Sequence, residues 1–339
     1  MSEEKHYAWP SIESFHAIRK YTHAKPDIIP GETTKVTYKG KVKLHGTNAG
    51  IQCHSDGKVI AQSRENLLID RDNSGFAVWV TSKKSFFSEL GKRYGNVIVY
   101  GEWCGAGIQS GVAISQIGKK VFAIFAIVYM PTMEDQSLTV MIFEPSEIEG
   151  MLKIPEELSG EIKVLPWHGN SFTVNWGLPA EDPSLLECVE SINRTVKEVE
   201  DNDPWVEANF GVKGTGEGLV YFPILSIKDY RKHFSNLCFK AKGEKHQTVR
   251  AKAASVTPEK AAGVTEFVSL VLTEARLNQG VEKGCEGEFS KKKIPAFISW
   301  VCQDVYKECQ GELEASALHW SQVQKDITNA ARTWYLSKC

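Results

Sequence analysis

Between residues 35 and 125 the chain consists of short β-rich runs cut by turns, and this pattern constrains the fold more than any other feature. The runs fall at 37–38, 42–44, 49–53, 59–62, 97–100 and 121–128. Branched and aromatic residues in stretches this short favour strands. The tetrapeptide Ser55-Asp56-Gly57-Lys58 between two of them predicts a hairpin turn. Phe76, Val80, Phe87 and Leu90 mark a helix over 76–94. Residues 145–210 mix helix and loop signals. Within them, Leu185, Val189, Ile192 and Val196 are spaced for a helix over 181–200. Strand signals return at 218–222 and 237–241.

After Gly243 the composition changes. Residues 244–263 are polar, basic and alanine-rich, Pro258 interrupts them, and they read as a linker. Three helical stretches follow: 264–277, one carrying Ile294, Phe297, Ile298, Val301 and Val305, and one carrying Trp320, Val323, Ile327 and Ala330. A length of 339 residues suits two domains. The expected fold is therefore an α+β body over 1–243, the linker 244–263, and a small all-helical domain over 264–339.

A net charge of −2 argues against non-specific coating of nucleic acid but leaves room for a local basic groove. The longest apolar run, 121–130, is about half of what a membrane span needs and reads as a buried strand. No membrane partner is expected. The polar stretch Met1 to Lys5 lacks the apolar core of a secretion signal, which points to the cytoplasm, of a cell or of a virus-infected host. Eight scattered cysteines without a CxxC fit free thiols. The sequon Asn193-Arg194-Thr195 has no secretory signal to give it meaning.

The most informative stretch is Lys43-Leu44-His45-Gly46-Thr47-Asn48. A lysine at the end of a short strand is a nucleophile when its surroundings free the amine, and a glycine three residues on lets backbone approach a phosphate. Alone, KxxG also reads as a lysine before a turn. An ordered set follows it: Ser63-Arg64, Gly101-Glu102-Trp103, the strand with Phe122 and Phe125, Glu217-Gly218-Leu219-Val220, and Lys240-Ala241-Lys242-Gly243. The glycine-rich 211–218 has the look of a phosphate loop. No GxxxxGK[ST] occurs, however, so its glycines instead bring the chain to the strand behind Glu217.

This series resembles the covalent nucleotidyltransferase superfamily of ATP-dependent ligases and messenger-RNA capping enzymes. KxHGTN with GEWxG, EGLV and KxKG is most similar to the RNA ligases typified by the phage nick-sealing ligase and the trypanosome editing ligases. The resemblance implies a nucleotidyltransferase (ATP-grasp-like ligase) domain of antiparallel sheets and helices. It also implies ATP as cofactor, with AMP carried covalently on Lys43, and Mg2+ or Mn2+. The catalytic set would be Lys43, Glu217, Lys240 and Lys242. Asn48 would bond the nucleotide, Arg64 a phosphate, Glu102 the ribose hydroxyls or a metal ion, and Glu217 a divalent ion. Phe125, ahead of Phe122, would stack on adenine. Lys240 and Lys242, two apart on a strand, would share one face aimed at the α-phosphate. His45 either shapes the turn or, with Thr47, serves the RNA-facing steps. In the tail, the segment from Val271 to Asn278 resembles part of the same ligases. Arg276 would contact a phosphate there, or else pair with Glu274 or a neighbour. The run Lys291-Lys292-Lys293 is a phosphate patch or a solvated face.

Two positions depart from the family pattern: Val42 stands where an acid often precedes the nucleophile, and Ala126 where aspartate commonly follows the stacking phenylalanine. The implied partner is RNA with 3′-hydroxyl and 5′-phosphate ends, in duplex or bridged form, with no obligate protein partner. A DNA ligase, a GTP-using capping enzyme and an inactive RNA-binding relative are the competing readings. The first two usually append an OB-fold barrel, whereas this tail reads helical.

Overall fold

The computed structural model describes residues 4–24, 34–69, 72–130, 140–179, 182–224, 234, 236–243, 264–309, 313 and 318–339. The expected linker 244–263 lies outside them. The chain divides into two compact units, Met1–Gly177 with Glu198–Ala241, and Leu178–Lys197 with Lys242–Cys339.

The first unit is built on two sheets. Its strands are β1 (Glu13–Ser14), β2 (Lys35–Lys43), β3 (Thr47–Cys53), β4 (Val59–Ser63), β5 (Val97–Gly105), β6 (Lys120–Tyr129), β7 (Met141–Ile142), β8 (Ile162–Val164), β9 (His168–Asn175), β10 (Gly218–Ile224) and β11 (Phe239–Lys242). One sheet runs β1-β11-β10-β2-β9 and the other β4-β3-β5-β6-β7, with β8 parallel to β6. Most of the pairs are antiparallel. The architecture is α+β, as the alternation of runs and turns predicted.

Side-chain alternation gives the second sheet two different faces. Ala49, Ile51, Cys53, Val97, Val99 and Trp103 point to one of them and pack under the helices Phe76–Ser82, Lys84–Tyr94 and Pro145–Leu152. Phe122 is fully buried on this side. Ile98, Tyr100, Ala126 and Val128 point the other way, where they meet Phe234 and, from the face of the first sheet turned toward them, Phe222. The polar pair Gln52 and Gln62, each 1% exposed, lies along this second face. Gln52 donates to the Lys5 carbonyl (2.9 Å), while Gln62 and the Tyr100 hydroxyl both donate to that of Tyr7 (2.6 Å each). The N-terminal segment is thereby laid along the sheet, which seats the Trp9 ring against Tyr100, Phe125 and Phe234.

Several boundaries differ from the expectation. The helix read over 76–94 is two helices, Phe76–Ser82 and Lys84–Tyr94, that meet at Lys83. The stretch 264–277 also breaks. Val264–Val271 ends, and Thr273 caps a new helix, Glu274–Cys285, by accepting from the Arg276 backbone N–H at 3.2 Å. Strand β9 gave no signal in the sequence. It is polar and largely exposed along its length, with only Val174 buried, so there is no apolar run to read.

In the second unit, the helices at Val264–Val271, Glu274–Cys285, Ile294–Glu308 and Trp320–Leu336 enclose a core of Phe267, Leu277, Val281, Phe297, Val301, Val323, Ile327 and Tyr335.

Candidate active site

Lys43 is the last residue of β2, directly opposite Gly218 at the head of β10. Glu217 therefore sits immediately before the residue facing Lys43, and its side chain is 2% exposed. Its Oε2 accepts from Lys43 Nζ at 2.7 Å and lies 3.3 Å from His45 Nδ1. The lysine is still 24% exposed, so one side of the pair faces outward. A charged group this close to a buried carboxylate is held in one place, while its open side leaves room for a reactant.

Three residues, 44 to 46, carry the chain from the first sheet to the second. The crossing is tight at Gly46. A Cβ there would lie 2.5 Å from the Trp103 carbonyl and 2.7 Å from Cys104 Cβ. The glycine of KxHG is thus required for close packing against β5, a reason the sequence did not disclose. The Gly46 N–H donates to Glu102 Oε1 (3.1 Å), and its carbonyl accepts from Gln109 (3.1 Å). Glu102 pairs across the ladder with Asn48, the two side chains lying opposite the buried face marked by Ala49 and Trp103. Thr47 accepts from Asn73 at 3.0 Å.

The glycine-rich segment delivers Glu217 through backbone bonds. Gly216 N–H donates to the Val199 carbonyl, Asp203 N–H to that of Gly214, and Ala113 N–H to that of Thr215. It is a structural approach, as its lack of a phosphate-loop signature implied. Asp203 caps the helix Pro204–Phe210, accepting from Trp205 and Val206. Burial pushes its carboxyl up to about 6, against the pull of those two backbone donors.

On β11, Phe239 packs with Tyr38 and Tyr221. Tyr38 lies on the opposite face of β2 from Lys41, whose amine reaches the Phe125 carbonyl of the second sheet. Lys240 therefore points to the face that carries Lys43, and Lys242 closes the strand on the same side.

Phe125 is the extra residue of a β-bulge: Tyr100 pairs with Ala126 and Gly101 with Ile124, leaving Phe125 between them. Its ring meets Trp9 edge-on, with centroids 4.8 Å apart. Phe122 lies in the helix-covered core, so of the two aromatics only Phe125 is on the side of the sheet that Lys41 of β2 reaches. Arg64 follows β4, is 51% exposed, and lies 3.9 Å from Glu65.

Arg276 is a correction. Its side chain is 0% exposed, its Nε donates to Asp304 at 2.9 Å, and Nη1 donates to the Val271 carbonyl. A guanidinium enclosed in the helical core offers nothing to a phosphate. Its partner is Asp304, one helix away, and not Glu274. Lys293 of the basic run is held by Glu286 and Glu288 at 3.1 and 3.0 Å.

Glu102 and Glu217 are hard oxygen donors. Among the described residues no three His, Cys, Asp or Glu side chains gather as a metal cage. Two carboxylates without a cage fit Mg2+ or Mn2+, which take most of their remaining ligands from phosphates and water.

Lys41 and Trp9 were missed. A lysine alternating with apolar residues reads as solvated in a sequence, and nothing local says which face of β2 is covered.

Comparison with solved structures gives weak likenesses to variants of the RNA ligase of Naegleria gruberi. One, solved with ATP and Mn, is 17% identical over 71% of this chain and 58% of that one, with a TM-score of 0.43. Another, with AMP and Mn, is 17% identical over 70% and 56%, with a TM-score of 0.42. The chain thus spans little more than half the length of these relatives. Comparison with curated proteins gives no match. Among the described residues no helix is long and apolar enough to cross a membrane. The RNA ligase family profile matches residues 37–242, from β2 through the end of β11 and including every strand that carries the site. With that match covering more than half of its length, the chain belongs to the RNA ligase family.

Proposed function

We propose that this chain is an ATP-dependent RNA ligase that joins 3′-hydroxyl and 5′-phosphate RNA ends, at nicks or bridged breaks, through an AMP carried on Lys43. The observation that carries the reading is the pairing of Lys43 with the buried Glu217 at 2.7 Å on a strand end left open on one side.

Lys43 Nζ attacks the α-phosphorus of ATP, forming the P–N bond of a lysyl phosphoramidate as pyrophosphate leaves. The 5′-phosphate of RNA then displaces the lysine, giving a 5′-5′ pyrophosphate-linked adenylate. A 3′-hydroxyl finally attacks the RNA phosphorus, closes the phosphodiester and releases AMP. Each transfer gathers negative charge at phosphorus, which Lys240, Lys242 and Arg64 offset. Attack requires an uncharged amine. Glu217 has one carboxylate to share between Lys43, His45 and the cation that accompanies the triphosphate. Glu102 and Asn48 hold the nucleotide beside the crossing at Gly46, and Phe125 receives the adenine. Mg2+ or Mn2+, held by Glu217 and Glu102, would supply Lewis-acid neutralisation of the phosphates. His45, 7% exposed and beside Glu217, orients that carboxylate and shapes the turn.

The test is incubation with labelled ATP and Mg2+, followed by denaturation. An acid-labile label on the protein, absent from Lys43→Ala, is expected; a label that persists in the variant overturns the assignment. Labelled GTP in place of ATP separates the capping alternative, and nicked RNA against nicked DNA separates the DNA ligase.

A further inference from the structure

Lys39, Lys41 and Lys43 alternate along β2, and their environments differ sharply. Side-chain exposure at Lys39 is 37% and at Lys43 is 24%, whereas Lys41 between them is 1% exposed overall. Its amine lies 4.7 Å from the centre of the Trp167 ring and 5.5 Å from that of Phe222. Burial pulls the amine down to about 7, only partly opposed by the charge of Glu144. That carboxylate already accepts from Trp167 Nε1 at 2.9 Å and pairs with Lys39 at 3.5 Å. An apolar side chain would fill this space without desolvating an amine, so the lysine is held at a cost in stability. Residues kept at such a cost are common where a site needs them.

What the amine does is specific. Nζ donates to the Phe125 carbonyl at 2.9 Å, bridging from the sheet of the nucleophile to the sheet of the aromatic ring. Phe125 is the bulged residue of β6, omitted from the β5–β6 pairing. A bulged residue loses its place in the ladder, and a buried carbonyl there needs a donor from elsewhere. The bond joins Lys43, two residues along β2, to the ring that receives the base.

We infer that Lys41 is a positioning residue for the nucleotide: its bond to the bulge carbonyl of Phe125 fixes where the base lies relative to the amine of Lys43. This rests on the ligase reading above. It adds a residue that touches neither the phosphates nor the metal, acting instead on the geometry between base and nucleophile.

The test uses the full chain and labelled ATP, with adenylylation measured across a range of ATP concentrations. Lys41→Met keeps the stem and removes the donor. It is expected to raise the KM for ATP about tenfold, the worth of one well-placed hydrogen bond, while kcat at saturating ATP stays within about threefold. Its melting temperature is expected to equal or exceed that of wild type. A purely structural lysine would leave KM unmoved, and an unchanged KM in a folded variant overturns the inference. Should Lys41→Met fail to fold, Lys41→Arg, which keeps a donor within reach of the carbonyl, decides. A KM within about threefold of wild type supports the tie. A tenfold rise without loss of melting temperature opposes it. A wild-type chain that takes no label from ATP removes the ligase reading and this inference together. A labelled wild type with an unchanged Lys41→Met removes only the second.

Discussion

Lys43 and Arg276 are both cations held by a carboxylate, at 2.7 and 2.9 Å, and the two places differ in everything else. At Lys43 the acid is the buried partner, 2% exposed, and the base is open at 24%. At Arg276 the order is reversed: the base is 0% exposed and Asp304 retains 21%. A buried acid beneath an accessible amine leaves the nitrogen positioned and reachable, which suits transfer chemistry. A buried guanidinium beneath a partly wet acid has its donors turned into the helical core, which suits holding helices together. Charge and pairing alone do not separate these two roles; which partner is buried does.

Exchanging the effects of substitution at the two positions would break the contrast. Lys43→Ala is expected to abolish adenylylation, by more than about ten-thousandfold. Its side chain is partly exposed and His45 remains 3.3 Å from Glu217, so stability in urea should fall less than for Arg276→Ala. A melting transition lost together with activity would place Lys43 in the Arg276 class.

Lys41 sharpens the comparison, being a cation with neither a dedicated acid nor access to water. Its native amine titrates at about 7, below the 10.5 of the unfolded chain. The unfolded state then binds more protons between these values, so stability rises as pH increases through that range. The full effect would be about 5 kcal/mol, and Lys41→Met should remove it. Chemical denaturation at pH 7 and pH 10 reads the difference; parallel curves for the two proteins would count against a buried amine.

Arg276→Ala should have the opposite profile to Lys43→Ala. Removing one member of a buried pair costs about 3–5 kcal/mol. Exchanging both, as Arg276→Met with Asp304→Leu, should recover most of that in the same urea titration. A single variant as stable as wild type would mean that the guanidinium is not enclosed.

Asp203 gives a smaller effect of the other sign. Its carboxyl is raised to about 6 from 3.8, so the native state keeps its proton to higher pH than the unfolded chain. Stability contributed by this group is therefore lost as pH rises between those values, by about 3 kcal/mol. Asp203→Asn preserves a capping oxygen and should lack this slope, leaving the variant the more stable of the two at pH 7. Equal pH profiles from 4 to 7 would indicate a solvated carboxylate.

How much of this was legible in the sequence depended on whether the signal was local. The strands from β2 to β6 announce themselves because branched and aromatic residues recur between turn residues, and KxHGTN stands at a strand end that can be read directly. The break at Lys83 and the cap at Thr273 lie inside periodic stretches whose apolar spacing continues across them. Strand β9 is polar and takes its place only because β2 offers an edge with which to pair. Arg276 misled because a helix-surface arginine and a core arginine have the same neighbours in sequence.

The order of the candidate site residues, Lys43, Asn48, Arg64, Glu102, Glu217, Lys240 and Lys242, was determined by the sequence alone, and with it the family, since residue types at strand ends are local facts. Tertiary structure alone decided that Gly46 is forced by the backbone of Trp103, that Glu217 lies beneath Lys43, and that Lys41 faces inward to the bulge at Phe125. Burial is a property of what covers a residue. For all three, a partner comes from far along the chain: Glu102, Phe125 and Glu217 are 56, 84 and 174 residues from Gly46, Lys41 and Lys43.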